Sequence, residues 1–150
     1  MRFVLKDLAE GEEIAVEQRY DPVELELVYD DFHYDGDLRF VGKACKGEKV
    51  LTVTGELTSA IEQTCCRCLE RARRTWREPV HLVYETAGKK EIDSTQEVRE
   101  IMIFAHPQRF VCAETCKSLC PMCGQNLNRG TCSCQPPAQE SPFGGLKGIA

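Results

Sequence analysis

The sequence predicts an α+β fold: a mainly antiparallel, curled β-sheet, one helix and a C-terminal cysteine-rich zinc knuckle. Three observations carry this prediction. Apolar and polar residues alternate with period two over much of the first 85 residues. The period becomes helical after Ser94. Six of the ten cysteines then crowd between Cys112 and Cys134, a stretch too short and too cysteine-rich to form a core of its own.

Val23, Leu25, Leu27 and Tyr29 alternate with Glu24, Glu26 and Val28, the period-two pattern of a half-buried strand. Asp35-Gly36-Asp37 supplies turn chemistry, and a further strand begins at Leu38 to Val41. From Val50 to Leu57 the alternation places Leu51, Val53 and Leu57 on one face, with Gly55 as a candidate bulge. Val80, Leu82 and Tyr84 form another strand. Strands at this spacing suggest a sheet that curls or closes. Ser94-Thr95-Gln96-Glu97 matches a capping box, and Val98, Ile101, Met102 and Ala105 then recur at helical spacing until Pro107. The helix is expected over about 95–105. Gln135 to Glu140 reads as a linker, and Ser141-Pro142 as the start of a last short helix weakened by glycine. The expected organisation is a β-rich part over 1–107 and a cysteine-rich zinc-binding segment with a short tail over 108–150, packed together as one unit.

With 150 residues, 42% hydrophobic and 29% charged, the chain has the material for one sizeable core, which excludes wholesale disorder. No apolar run reaches the roughly 18 residues of a membrane span. The start carries charges and lacks an apolar h-region, which points to a cytoplasmic protein. The net charge of −5 hides a segregation: residues 1–38 hold three basic and twelve acidic side chains, whereas 39–150 hold sixteen and twelve. Such asymmetry marks either a solvated acidic face or a charged-partner surface.

In a reducing compartment clustered cysteines read as metal ligands rather than disulfides. Cys120-x2-Cys123-x8-Cys132-x-Cys134 is a compact quartet; a Cys-x-x-Cys turn brings two thiolates to one zinc and a second pair completes the tetrahedron. Gly124 suits the tight knuckle. Cys65-x2-Cys68 and Cys112-x3-Cys116 together would make a second four-thiolate site tying the sheet to the C-terminal segment. A buried thiol pair or a redox Cys-x-x-Cys are the alternatives there, and the redox motif wants a helix start in a βαβ unit. One or two zinc ions are therefore expected. Cys45 and Cys66 are left as small buried hydrophobes.

Arg67, Arg71, Arg73, Arg74 and Arg77 form the densest basic stretch, offset only by Glu70. Guanidinium groups fit phosphates bidentately, so this stretch is the candidate surface for RNA or an acidic partner. Trp76 within it reads better as core. Enzyme signatures are absent: His33, His81 and His106 sit in no nucleophile–base pattern. Cys120-Pro121-Met122-Cys123 matches part of the zinc-deaminase signature, but Leu119 stands where proline is needed and no His-x-Glu precedes it. No phosphate-binding glycine loop occurs.

Val53-Thr54-Gly55-Glu56-Leu57, Cys65-x-x-Cys68-Leu69-Glu70, the helix Glu97 to Ala105 with Pro107, the block Val111 to Asn128 and Cys132-Ser133-Cys134 together resemble the YceD family of large ribosomal RNA subunit accumulation proteins. The closing Ser141-Pro142-Phe143 and Leu146 resemble that family's ending. Ser118 and Ser141 depart from it, where glycine and aspartate are expected. The resemblance implies a β-rich domain with a helix, no known catalytic activity, and a role in synthesis or maturation of large-subunit (23S) ribosomal RNA. The expected function is thus a non-enzymatic ribosome biogenesis factor whose partner is ribosomal RNA or a pre-ribosomal large-subunit protein, with no membrane and no small-molecule substrate. A zinc-dependent thiol redox sensor or holdase is the alternative of a different class.

Overall fold

The computed structural model describes residues 1–107 and 109–135. Its strands are β1 (Arg2–Val4), β2 (Glu13–Tyr20), β3 (Phe32–Tyr34), β4 (Leu38–Lys46), β5 (Val50–Thr64), β6 (Arg71–Glu85) and β7 (Glu91–Asp93), followed by helix α1 (Thr95–Phe104). The period-two pattern builds the main antiparallel sheet in the order β2-β4-β5-β6, with β3 pairing the far end of β5. β5 and β6 are each 15 residues long and pair from Val50↔Glu85 to Thr64↔Arg71. β1 and β7 form a separate two-stranded ribbon.

One face of the sheet is buried. Leu38, Phe40, Leu51, Val53, Leu57 and Val80 point into a core that is closed by Phe3 and Ile92 of the ribbon, Leu25 and Leu27, and Val98 and Met102 of α1. Fully burying such aliphatic side chains stabilises by about 1.5–3 kcal/mol each. The other face of the sheet is solvent-exposed and carries ion pairs, Arg39–Glu17 and Lys43–Glu13 among them. No pairing among the described residues returns β6 to β2, so the mainly antiparallel sheet with its one helix is open rather than closed.

Four local expectations are corrected. Val23 to Tyr29 is not a strand: Asp21 Oδ1 accepts from Val23 N at 2.7 Å, and Leu25 and Leu27 N–H groups turn back to Asp21 and Pro22 carbonyls. This local competition wins because Asp and Pro favour turns, and it still buries Leu25 and Leu27 while exposing Val23 and Val28. Gly55 is not a bulge, since the register runs unbroken through Gly42↔Gly55 and Gly55↔Val80. It is needed for close approach: a Cβ on Gly55 would lie 2.5 Å from Val41 O and 2.7 Å from the Phe40 ring, which folds over the Gly42–Gly55 pair.

The capping box does not form either. Ser94 Oγ donates to Met1 O instead, and Asp93 Oδ1 accepts from Thr95 N at 3.0 Å and Thr95 Oγ1 at 2.6 Å. The helix itself forms where the periodicity places it. Finally, Cys66 is exposed and Cys45 half-buried rather than core, because Cys65 and Cys68 take the inward positions of the turn they share with Cys66. The closing helix at Ser141 and the linker beyond Gln135 lie outside the described residues.

Candidate metal centre

Residues Cys65 to Glu70 are the turn that joins β5 to β6, so one Cys-x-x-Cys sits at the tip of the longest hairpin in the fold. Cys65 N donates to Glu70 O at 2.9 Å, and Leu69 N donates to Cys65 O at 2.9 Å. Arg67 N points at Cys65 Sγ, 3.4 Å away. The second Cys-x-x-Cys repeats this frame bond for bond: Cys120 N to Gln125 O at 2.8 Å, Gly124 N to Cys120 O at 2.9 Å, Met122 N to Cys120 Sγ at 3.4 Å. Two knuckles of one design therefore stand next to each other, tied by Leu119 N donating to Arg67 O at 3.1 Å.

The eight paired cysteines assemble into two quartets, Cys65/Cys68/Cys112/Cys116 and Cys120/Cys123/Cys132/Cys134, each with its sulfur atoms within 4.8 Å of one another. The sequence spacing predicts the same two groups. A tetrahedron with zinc–sulfur bonds of about 2.3 Å has sulfur–sulfur edges of about 3.8 Å; Cys65–Cys116 and Cys68–Cys112 are 4.0 and 3.7 Å apart. Both groups can hold a metal ion.

Charge explains why an ion suits them. Burial opposes the Cys65 thiolate, but N–H groups of Cys112, Cys68 and Arg67 outweigh it and bring this thiol down to about 6. Backbone N–H groups of Cys123 and Met122 bring Cys120 down to about 6 as well, against burial. Their neighbours move the other way: Cys68 pushes Cys112 up, and Cys123 pushes Cys134 up. Four thiolates in so small a volume repel, so all four ionise together only around a cation.

The first quartet is the more deeply set. Cys65, Cys68 and Cys116 are buried beside Phe110, and only Cys112 is exposed. In the second only Cys120 is buried, while Cys123 and Cys134 are exposed. Asn128, in the loop of the exposed quartet, donates its Nδ2 to Cys116 Sγ at 3.4 Å and accepts Lys117 N at Oδ1, 2.8 Å. It thereby supports a sulfur of the other quartet, a link that sequence spacing gives no sign of. Arg129 pairs with Glu70 across the same gap.

The arginine stretch does not form one surface. Arg71, Arg73 and Arg77 alternate on the exposed face of β6 and pair with Glu62, Asp35 and Glu56 of neighbouring segments. Arg74 turns to the other face, where its guanidinium lies 4.7 Å from the Phe110 ring centre and its Nη2 donates to Gln63 Oε1 at 3.4 Å. Arg67 donates to Cys116 O at 3.5 Å. Two of the five thus hold the C-terminal segment on the hairpin tip. Trp76 turns inward, edge-on to Phe32 at 5.4 Å.

Clustered thiols thus bring the described C-terminal segment to the tip of the sheet. Residues 83–150 match the family model described as large ribosomal RNA subunit accumulation protein YceD. The match spans a little under half of the chain and agrees with the resemblance in the residues. The match includes α1 and the six C-terminal cysteines and begins after the hairpin-tip pair. A curated relative from Arabidopsis thaliana, "Large ribosomal RNA subunit accumulation protein YCED homolog 1, chloroplastic", is 30% identical over 71 residues, covering 47% of this chain and 21% of its own. The Zea mays protein of the same name is 36% identical over 62 residues, 41% of this chain and 20% of its own. The aligned stretches thus span about a fifth of these relatives' length. No solved structure matches the chain significantly. No helix among the described residues is long and apolar enough to cross a membrane.

Proposed function

We propose that this protein is a non-enzymatic, cytoplasmic factor supporting accumulation of large-subunit ribosomal RNA, and that zinc fills both cysteine quartets. The observation that carries the reading is the YceD match over residues that contribute six of the eight paired thiols. Zinc, with no geometric preference of its own, suits an all-sulfur tetrahedral set. Four thiolates would close its coordination sphere, leaving no position for substrate, so the metal would fix structure and supply no chemical step. Cys65, Cys68, Cys112 and Cys116 would clamp the C-terminal segment to the hairpin tip, and Cys120, Cys123, Cys132 and Cys134 would shape that segment. Arg71, Arg73 and Arg77, rigidly spaced on β6, would meet ribosomal RNA or an acidic face of a pre-ribosomal protein, a contact weakened by salt.

The test is depletion followed by rescue. Large-subunit ribosomal RNA should fall relative to the small-subunit species, and the wild-type chain should restore it. A variant with Arg71, Arg73 and Arg77 all changed to Gln should keep its metal and fold but rescue poorly. An unchanged ratio of the two RNAs after depletion would sink the reading.

A further inference from the structure

The sheet's free edge leaves a groove that neither the core nor the cysteine quartets use. It has a volume of about 610 Å³ and runs between the middle of β6 and the last turns of α1. Leu82, Ile101 and Phe104 make its apolar walls, and Glu78, Glu97 and Glu100 line it with carboxylates. Phe104 is 87% exposed, the largest exposure among the big apolar residues described. Leaving a phenylalanine in water forfeits the free energy of burying it, and such exposure beside other apolar side chains marks an interaction site.

Charge selects the occupant. Among the described residues no lysine or arginine lines the groove, His81 being its one basic side chain, and none of the three glutamates has a salt bridge there. Glu97 is turned toward the Tyr84 hydroxyl and the Met1 ammonium inside the protein, which leaves Glu78 and Glu100 as the carboxylates open to a ligand. Phosphate would be repelled, which excludes nucleic acid. A second copy meeting groove to groove would bring six carboxylates together, which a self-complementary interface does not tolerate.

We infer that the β6–α1 groove docks a cationic segment of a partner protein, with a large apolar side chain packed against Phe104, Ile101 and Leu82 and Lys or Arg side chains reaching Glu78 and Glu100. This surface is separate from the cysteine quartets and from Arg71, Arg73 and Arg77, so its failure leaves the preceding reading untouched.

Fluorescence anisotropy on the full, metal-loaded chain tests it with four labelled probes: an alternating leucine–lysine peptide, a serine–lysine peptide of equal charge, a leucine–glutamate peptide and a single-stranded oligouridylate. The leucine–lysine peptide should bind at least about tenfold more tightly than the other peptides. Phe104→Ala should weaken it about tenfold, in the range of an interface anchor, and so should the Glu78→Gln/Glu100→Gln pair. Phe104 is too exposed for its loss to unfold the protein, and an unchanged melting temperature checks this. The inference is overturned if the serine–lysine peptide binds equally well or if Phe104→Ala leaves the affinity intact. It is equally overturned if Phe104→Ala abolishes oligouridylate binding, or if the groove proves to hold a second copy that the same variant releases.

Discussion

In the Cys65–Glu70 knuckle the left-handed position is Leu69, with φ 59°, whereas in Cys120–Gln125 it is Gly124, with φ 73°. The hydrogen-bond frame is the same in both. An L-residue in that conformation costs about 1–2 kcal/mol that glycine does not. The hairpin-tip knuckle tolerates this cost because fifteen cross-strand pairs of β5 and β6 hold its two ends in register before any metal binds. The other knuckle has no long strand pair behind it among the described residues, its one β-bridge being Leu119↔Asn126, and it carries the residue that fits. The difference separates a knuckle imposed by a sheet from one that must form from local sequence.

The comparison predicts unequal consequences of losing a ligand. With zinc bound as proposed, Cys65→Ser should eject the metal and free residues 109–135 from the hairpin, since it removes a buried ligand and structural zinc is worth about 10–16 kcal/mol apparent in small zinc-finger peptides. Cys132→Ser should cost the second metal but leave the first in place. Native mass spectrometry with limited proteolysis separates the outcomes, and equal damage from the two variants would erase the distinction between imposed and local knuckles.

Asn128→Ala sharpens it further. Asn128 belongs to the exposed quartet's loop but bonds a sulfur of the buried one, so the variant should lower affinity at Cys65/Cys68/Cys112/Cys116 by about 10–100-fold, as loss of support around a metal ligand does. Competition with a chelator should then show the buried metal leaving earlier. A change confined to the exposed quartet would cut the proposed link.

The smallest effects come from exchanging the left-handed residues. Gly124→Leu should destabilise by about 1–2 kcal/mol. Leu69→Gly should stabilise by about 0.5–1 kcal/mol, because relief of strain exceeds the extra chain entropy of glycine. Thermal melting reads both, and a destabilised Leu69→Gly protein would give that exposed leucine a packing role the structure does not give it.

The grouping of both quartets is legible in the spacing because their thiols come in close sequence pairs, and short-range pairing leaves its mark in sequence. β4, β5 and α1 were legible for the same reason: Leu51, Val53 and Leu57, or Val98 and Met102, repeat at the interval of their own element. What was hidden lies between elements. Nothing in Val23 to Tyr29 shows that Asp21 will capture Val23 N and bend an alternating run into turns. Ser94 carries the residues of a capping box, yet its hydroxyl goes to Met1 O, a partner 93 positions away. Arg67 and Arg74 look like their neighbours in sequence, and only the strand's two faces and the arrival of Phe110 separate them.

The hairpin-tip quartet takes two ligands from the β5–β6 turn and two from beyond α1, with Cys68 and Cys112 44 positions apart. Either half alone offers two sulfurs, a poor hold on zinc. The full set exists only after β6 has paired along its length, α1 has settled on the core and the chain has returned to the tip. With a metal held as proposed, retention at this quartet would be a checkpoint on maturation of the polypeptide itself: a chain that stalls anywhere between Arg71 and Val111 would keep its thiols open to oxidation, and one that finishes would have Cys65, Cys68 and Cys116 buried around a single ion.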